Sequence, residues 1–133
     1  IIDGAPDAYF ASLPVNAMVA AMNQTEIPAA VSYTAGTYVC NDVMYQVLHA
    51  LATRFPETRG TFLHVPFATE QVVEKNAAAA EKAAAAEKAG AGEKTRQVPS
   101  MSLEMMTRGL QVALEAALAN DVDLADSESG TTC

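Results

Sequence analysis

Residues 27–55 read IPAAVSYTAGTYVCNDVMYQVLHALATRF. Ile27-Pro28 breaks the pattern before it. Ala29 to Ala35 is a short β-leaning run closed by Gly36, the signature of a strand. From Cys40 to Phe55 the period changes. Val43, Met44, Val47, Leu48 and Leu51 recur at helical spacing, and Phe55-Pro56 stops the helix. A cysteine therefore stands where a strand turns into a helix. In open α/β sheets that turn lies at the carboxyl end of the strand, where ligands bind.

The same reading extends outward in both directions. Leu13-Pro14 followed by VNAMVAAMN predicts a helix entered through proline, with Val15, Met18, Val19 and Met22 on one face. Gly60 opens a second strand, TFLHVPF (61–67), which Pro66 cuts short. A last helix is expected from about Ser102 to Asn120, with Leu103, Met106, Leu110, Leu114, Ala117 and Leu118 inward and Ser102 as N-cap. Strands separated by helices imply parallel pairing and a layered α/β fold. Two strands are too few for such a sheet. Residues 1–133 are therefore expected to form part of one domain, with more strands upstream of Ile1 or on a partner chain.

Bulk properties exclude several classes. Sixteen acidic residues against eight basic ones leave a net charge of −8, which argues against nucleic acid, whose phosphates need a basic patch. No apolar run reaches the roughly 18 to 20 residues of a membrane span. The opening IIDGAPDAYF has neither the basic start nor the long apolar run of a signal peptide, and a start without Met predicts a trimmed chain. Two cysteines far apart, Cys40 and Cys133, make no disulfide framework and favour a reducing cytoplasm.

One segment stands apart. Residues 77–94 read AAAAEK, AAAAEK, AGAGEK. Alanine is the best helix former, so the two intact copies should be helical, while the glycines loosen the third. With no apolar stripe to bury, residues 74–98 read as a solvated spacer inserted before the last helix. The acidic tail 121–133 reads as frayed, with Asp121, Asp123 and Asp126 a solvated end rather than a calcium loop. There is no CxxC, no HExxH and no glycine-rich phosphate loop, so neither metal nor cofactor is expected.

Cys40 is the chemical candidate. Unpaired N–H groups and the dipole at a helix start favour a thiolate, and the same N–H groups can hold an oxyanion. Strand alternation in TFLHVPF puts Phe62 and His64 on one face, with His64 near the carboxyl end of its strand. Neighbouring strands would bring Cys40 and His64 to one rim, the minimum for an activated thiol. The plainer readings are a small buried cysteine and a hydrogen-bonded core histidine. His49, more than two turns further along the Cys40 helix, reads as a surface residue.

These residues carry a resemblance. Pro28 to Asn41 (PAAVSYTAGTYVCN) with Met44-Tyr45 resembles the nucleophile segment of the pyroglutamyl peptidase I family, and FLHVPF (62–67) resembles its histidine segment. AYFASLP (8–14) and PSMSL (99–103) are similar to two further family segments. The resemblance implies a three-layer α/β/α sandwich with a mostly parallel sheet, of which this chain supplies the C-terminal part. It implies a cytoplasmic cysteine peptidase that removes N-terminal pyroglutamate through a thioester, often as a homotetramer. Cys40 would be the nucleophile, His64 the general base and acid, and Tyr38 and Val39 part of the substrate pocket. The family's glutamate lies upstream of the region matching Ile1. Two other readings remain at this stage: an inactive fragment of such an enzyme, and a non-catalytic α/β interaction module.

Overall fold

The computed structural model describes residues 2–88 and 98–124. Its element order is α1 (Val15–Gln24), α2 (Val39–Arg54), β1 (Phe67–Ala68), α3 (Thr69–Lys88), β2 (Ser100–Met101) and α4 (Leu103–Ala119). The chain divides into two compact units. One holds residues up to Leu63 and from Gly109 onward; the other is His64–Arg108.

In the first unit, α1 packs on the later turns of α4. Met18 meets Ala113, Ala116 and Ala117, and Leu13, Ala21 and Met22 close around them. The contact is tight because α4 offers only small residues there. A Cβ added at Gly109 would lie 3.1 Å from Met22 Cε and 3.3 Å from Ile27 Cγ2. This corrects the expected inward face of α4 at its leucines, while Ala117, also expected inward, is buried. Leu103, Leu110, Leu114 and Leu118 are exposed, and the buried face is Gly109, Ala113, Ala116 and Ala117. Small side chains let the two backbones approach, and the leucines are turned away from that contact.

Both ends of α1 are closed by side chains or turns that simple patterns do not signal. Pro14 occupies its N-cap and offers no capping side chain. Asp123 does so instead: its Oδ2 accepts the Asn16 N–H at 3.1 Å and its Oδ1 the Ala17 N–H at 3.0 Å. The expectation of a frayed end thus fails for Asp121–Leu124, because unsatisfied N–H groups at a helix start are a strong anchor for a carboxylate. Residues 125–133, with Asp126 and Cys133, lie outside the described residues. Burial alone would raise the Asp123 pKa, but hydrogen bonds from the Asn16, Ala17 and Leu124 backbone and from the Asn16 side chain together hold it below the usual carboxylate value. Its folded pKa is therefore depressed, so the stability it contributes is present above the unfolded value of about 3.8 and is lost as pH falls through the folded value. Asp123→Ala should cost about 1 kcal/mol at neutral pH. In urea melts run from neutral to acid, the gap between variant and parent should close on acidification.

At the other end, Glu26 N–H donates to Asn23 O at 3.1 Å and Ile27 N–H to Met22 O at 3.0 Å. This is a Schellman turn, with Glu26 in the left-handed position at φ 61° and Ile27 buried behind it. Glycine is the residue that position favours. Glu26→Gly should therefore stabilise the protein by up to about 1 kcal/mol, read as a higher urea midpoint with an unchanged slope.

The last carbonyls of α4 are capped by Arg59. Its guanidinium donates to Ala117 O at 3.1 Å and to Asn120 O at 3.0 Å. Its ion pair with Asp121 spans 3.8 Å to a carboxylate that is 99% exposed, so the cap and not the pair carries the effect.

In the second unit, β1 and β2 pair in parallel, Phe67 with Ser100 and Ala68 with Met101. The fold is α/β, as expected, but β1 shares only Phe67 with the strands read from sequence, and β2 shares no residue with them. Residues 29–35 and 61–66 form no strand. The α3 start is fixed by Gln71, whose Oε1 accepts the Ala68 N–H at 3.0 Å, half of a capping box. Lys75 Nζ sits 4.5 Å from the Phe67 ring centroid. α3 runs through both intact AAAAEK copies, as their composition predicts. The third copy falls in residues 89–97, outside the described residues. Ser102 caps α4 as expected, its Oγ accepting the Met105 N–H at 3.2 Å.

Candidate active site

The path into α2 is set by short-range hydrogen bonds. Asn23 clamps Ala29, donating to its carbonyl at 3.1 Å and accepting its N–H at 3.0 Å. Ser32 Oγ donates to Thr34 O at 2.8 Å, and Thr34 Oγ1 accepts the Gly36 N–H at 3.0 Å. Gly36 turns the chain at φ 82°, a conformation that side-chain-bearing residues rarely take. The helix then starts at Val39, with Tyr38 as an N-cap that makes no side-chain hydrogen bond.

That start matters chemically. Tyr38 O accepts the N–H groups of Asn41 at 3.0 Å and Asp42 at 3.2 Å. The N–H groups of Val39 and Cys40 precede them and have no carbonyl within the helix to bond. Cys40 occupies the second helical position and is a half-buried free thiol. A sulfur, two N–H groups that no carbonyl of the helix can accept and the positive end of a 16-residue helix thus share one turn. Such a turn can present a nucleophile and stabilise negative charge developing on a nearby oxygen. Tyr38 and Val39 flank it as largely exposed side chains.

α2 is held in place further along. Tyr45 and Leu48 are its buried residues. Tyr45 Oη donates to Pro6 O at 2.8 Å, and Tyr9 Oη lies 2.8 Å from His49 Nδ1. The Tyr9 and Tyr45 rings meet edge-on at 5.2 Å, and Tyr45 stacks over His49 with planes 3° apart. Desolvation, and then the Tyr45 hydroxyl, raise the Tyr9 pKa above its ordinary value. His49 is therefore not the surface residue its position suggests: it ties Tyr9, as Tyr45 ties Pro6, to the helix that bears Cys40. Sequence reasoning had no signal for this, since the partners lie 40 residues apart. A second tie joins Ser12 and Gly60: Ser12 N–H donates to Gly60 O at 2.9 Å, and Gly60 N–H donates to Ser12 Oγ at 2.9 Å.

His64 is the first residue of the other unit, three residues before β1, and is exposed. Cys40, Tyr38 and Val39 thus belong to one turn of one unit and His64 to the extended lead of another. In that second unit, Val65, Pro66, Phe67, Gln71, Val98 and Pro99 line an open cleft of about 310 Å³. Among the described residues no cluster of three or more His, Cys, Asp or Glu could hold a metal ion, and no helix is long and apolar enough to cross a membrane.

Residues 1–120 match the family model described as pyroglutamyl peptidase. A pyrrolidone-carboxylate peptidase of Enterococcus faecalis is 39% identical over 132 residues, covering 99% of this chain and 52% of the relative. One from Thermococcus onnurineus is 43% identical over 118 residues, covering 89% of this chain and 48% of the relative. Among solved structures, the pyroglutamyl peptidase I of Bacillus amyloliquefaciens superposes with a TM-score of 0.74 at 31% identity, over 95% of this chain and 50% of that one. A mutant pyrrolidone carboxyl peptidase from Pyrococcus furiosus gives 0.71 at 35% identity, over 91% and 50%. The chain spans about half the length of the curated relatives it matches.

Proposed function

Since the chain belongs to the pyroglutamyl peptidase family, we propose that it carries the nucleophile of a cysteine exopeptidase that removes N-terminal pyroglutamate from peptides. The observation that carries this reading is the placement of the free thiol of Cys40 in the first turn of α2, whose leading N–H groups no carbonyl of the helix can accept.

In the proposed reaction the Cys40 sulfur attacks the carbonyl that joins pyroglutamate to the next residue. A C–S bond forms, and the N–H groups at the helix start stabilise the oxyanion. His64 takes the thiol proton and returns it to the departing amine as the C–N bond breaks, leaving a thioester. His64 then draws a proton from water, which attacks the thioester and releases 5-oxoproline and the thiol. Tyr38 and Val39 contribute to the pocket. A blocked amino terminus carries no charge, so an apolar surface with a few hydrogen bonds suits the lactam.

Residues 1–133 are read as the C-terminal portion of one such domain, with 74–98 as an inserted spacer. The compartment is read as cytoplasmic, from the two distant cysteines. The assembly is read as a homo-oligomer, with a tetramer as the form the family resemblance implies. The test is a pair of fluorogenic amides, pyroglutamyl and prolyl, which differ in the ring carbonyl and in charge. Hydrolysis of the first and not the second supports the assignment. Equal hydrolysis of both, or none of either, removes it.

A further inference from the structure

Tyr45 and His49 stand one turn apart on one face of α2, and both tie the helix to the segment before α1. Tyr45 Oη donates to Pro6 O, and Tyr9 Oη lies 2.8 Å from His49 Nδ1. The Tyr9 ring meets the Tyr45 and His49 rings edge-on, at 5.2 and 5.7 Å between centroids. Tyr45 and Leu48 are the buried residues of α2, so its first turn, with Cys40, is held by no buried side chain of its own. At about 100° per residue, Cys40 projects about 140° round the axis from Tyr45 and about 180° from His49. A helix tethered on one face, with its sulfur on the other, converts roll into displacement. On a radius of roughly 6 Å, a roll of about 10° moves the sulfur by about 1 Å. A misplacement of that size can cost about a hundredfold in rate.

We infer that Tyr9 and His49 are positioning residues: their hydrogen bond fixes the roll of α2 and thereby the direction of the Cys40 sulfur. Apolar packing tolerates neighbouring rolls, whereas a hydrogen bond weakens steeply away from its preferred angle. His49 lies nine residues past Cys40, about 13 Å along the axis, so it acts through the helix and touches no reacting atom. The catalytic meaning of this placement rests on the cysteine peptidase reading above; the placement itself does not.

Three variants test it. Tyr9→Phe keeps the ring and removes only the hydroxyl. His49→Leu removes the hydrogen-bonding nitrogen, and His49→Asn puts an amide oxygen near the place of Nδ1. Each is read by far-ultraviolet circular dichroism, by pyroglutamyl amide kinetics and by the rate at which iodoacetamide alkylates the peptide that contains Cys40. With the dichroism unchanged, Tyr9→Phe and His49→Leu should each lower kcat roughly tenfold with KM within about twofold, and change the Cys40 alkylation rate about threefold or more. Their double variant should be no worse than either alone, since both remove one bond. His49→Asn should return kcat and alkylation to within about threefold and twofold of the parent, respectively. Alkylation unchanged in both Tyr9→Phe and His49→Leu overturns the inference, as does unchanged kcat in these variants of an active parent. His49→Asn as impaired as His49→Leu assigns the effect to packing and also overturns it. A parent that turns over no pyroglutamyl amide, with alkylation altered and rescued as stated, retains the placement of the sulfur and counts against the proposed function alone.

Discussion

If Cys40 is the nucleophile as proposed, Cys40→Ser is expected to lower the rate of pyroglutamyl amide hydrolysis by roughly a thousandfold or more. The substitution keeps size, helix position and the neighbouring N–H groups. It replaces a sulfur that readily sheds its proton with a hydroxyl that does not. Binding contacts survive, so the loss falls on kcat with little change in KM. His64→Ala is expected to cost a similar factor, because a thiol without its proton acceptor and a leaving amine without its donor stall the same step. The double variant should be scarcely worse than either single one, since two groups acting in one proton transfer are not additive. Multiplicative losses in the double variant would mean that the two residues act independently, and the paired mechanism would fall.

Ala113→Leu destabilises the protein by about 1–3 kcal/mol, a large share of the roughly 5–15 kcal/mol that holds a typical domain. Ala113 is 1% exposed and lies against Met18 at the α1–α4 contact. A leucine there has no void to enter and must push the helices apart. Leu114→Ala, one position on, removes a larger side chain yet should change the stability of residues 1–133 by about 0.5 kcal/mol or less, because Leu114 faces away from that contact. Urea unfolding of the two variants reads the difference directly. A larger loss at position 114 than at 113 would invert the assigned faces of α4.

The contrast between these neighbours shows what the sequence could and could not tell. Helical spacing located α1, α2 and α4 to within a residue or two, and Ser102 was readable as a cap because its partner is local. The inward face of α4 was misread for a physical reason. Leucines and alanines both recur at helical spacing there, and the leucine stripe, being larger, looked like the core; close backbone packing selected the small one. Segments 29–35 and 61–66 have strand composition, but pairing with distant chain decides whether a strand forms, and of the expected second strand only Phe67 lies in β1. The caps supplied by Asp123 and Arg59, and the Tyr9–His49 hydrogen bond, join residues 40 to 107 positions apart. Glu26 hid a left-handed turn that glycine would have announced. For the candidate site, the cysteine at a helix start was legible from the change of period after Gly36. The proposed role of His64 was readable only as order and spacing in the sequence.

The central claim is that the Cys40 sulfur becomes acylated by pyroglutamate. Acid-quenched turnover of a pyroglutamyl amide, followed by mass spectrometry of the protein and its peptides, tests it most directly. The account predicts a mass increase of one pyroglutamyl group, carried by the peptide that contains Cys40 and absent from the Cys40→Ser variant. Substrate turnover that leaves Cys40 unmodified, or places the group on another residue, would contradict it.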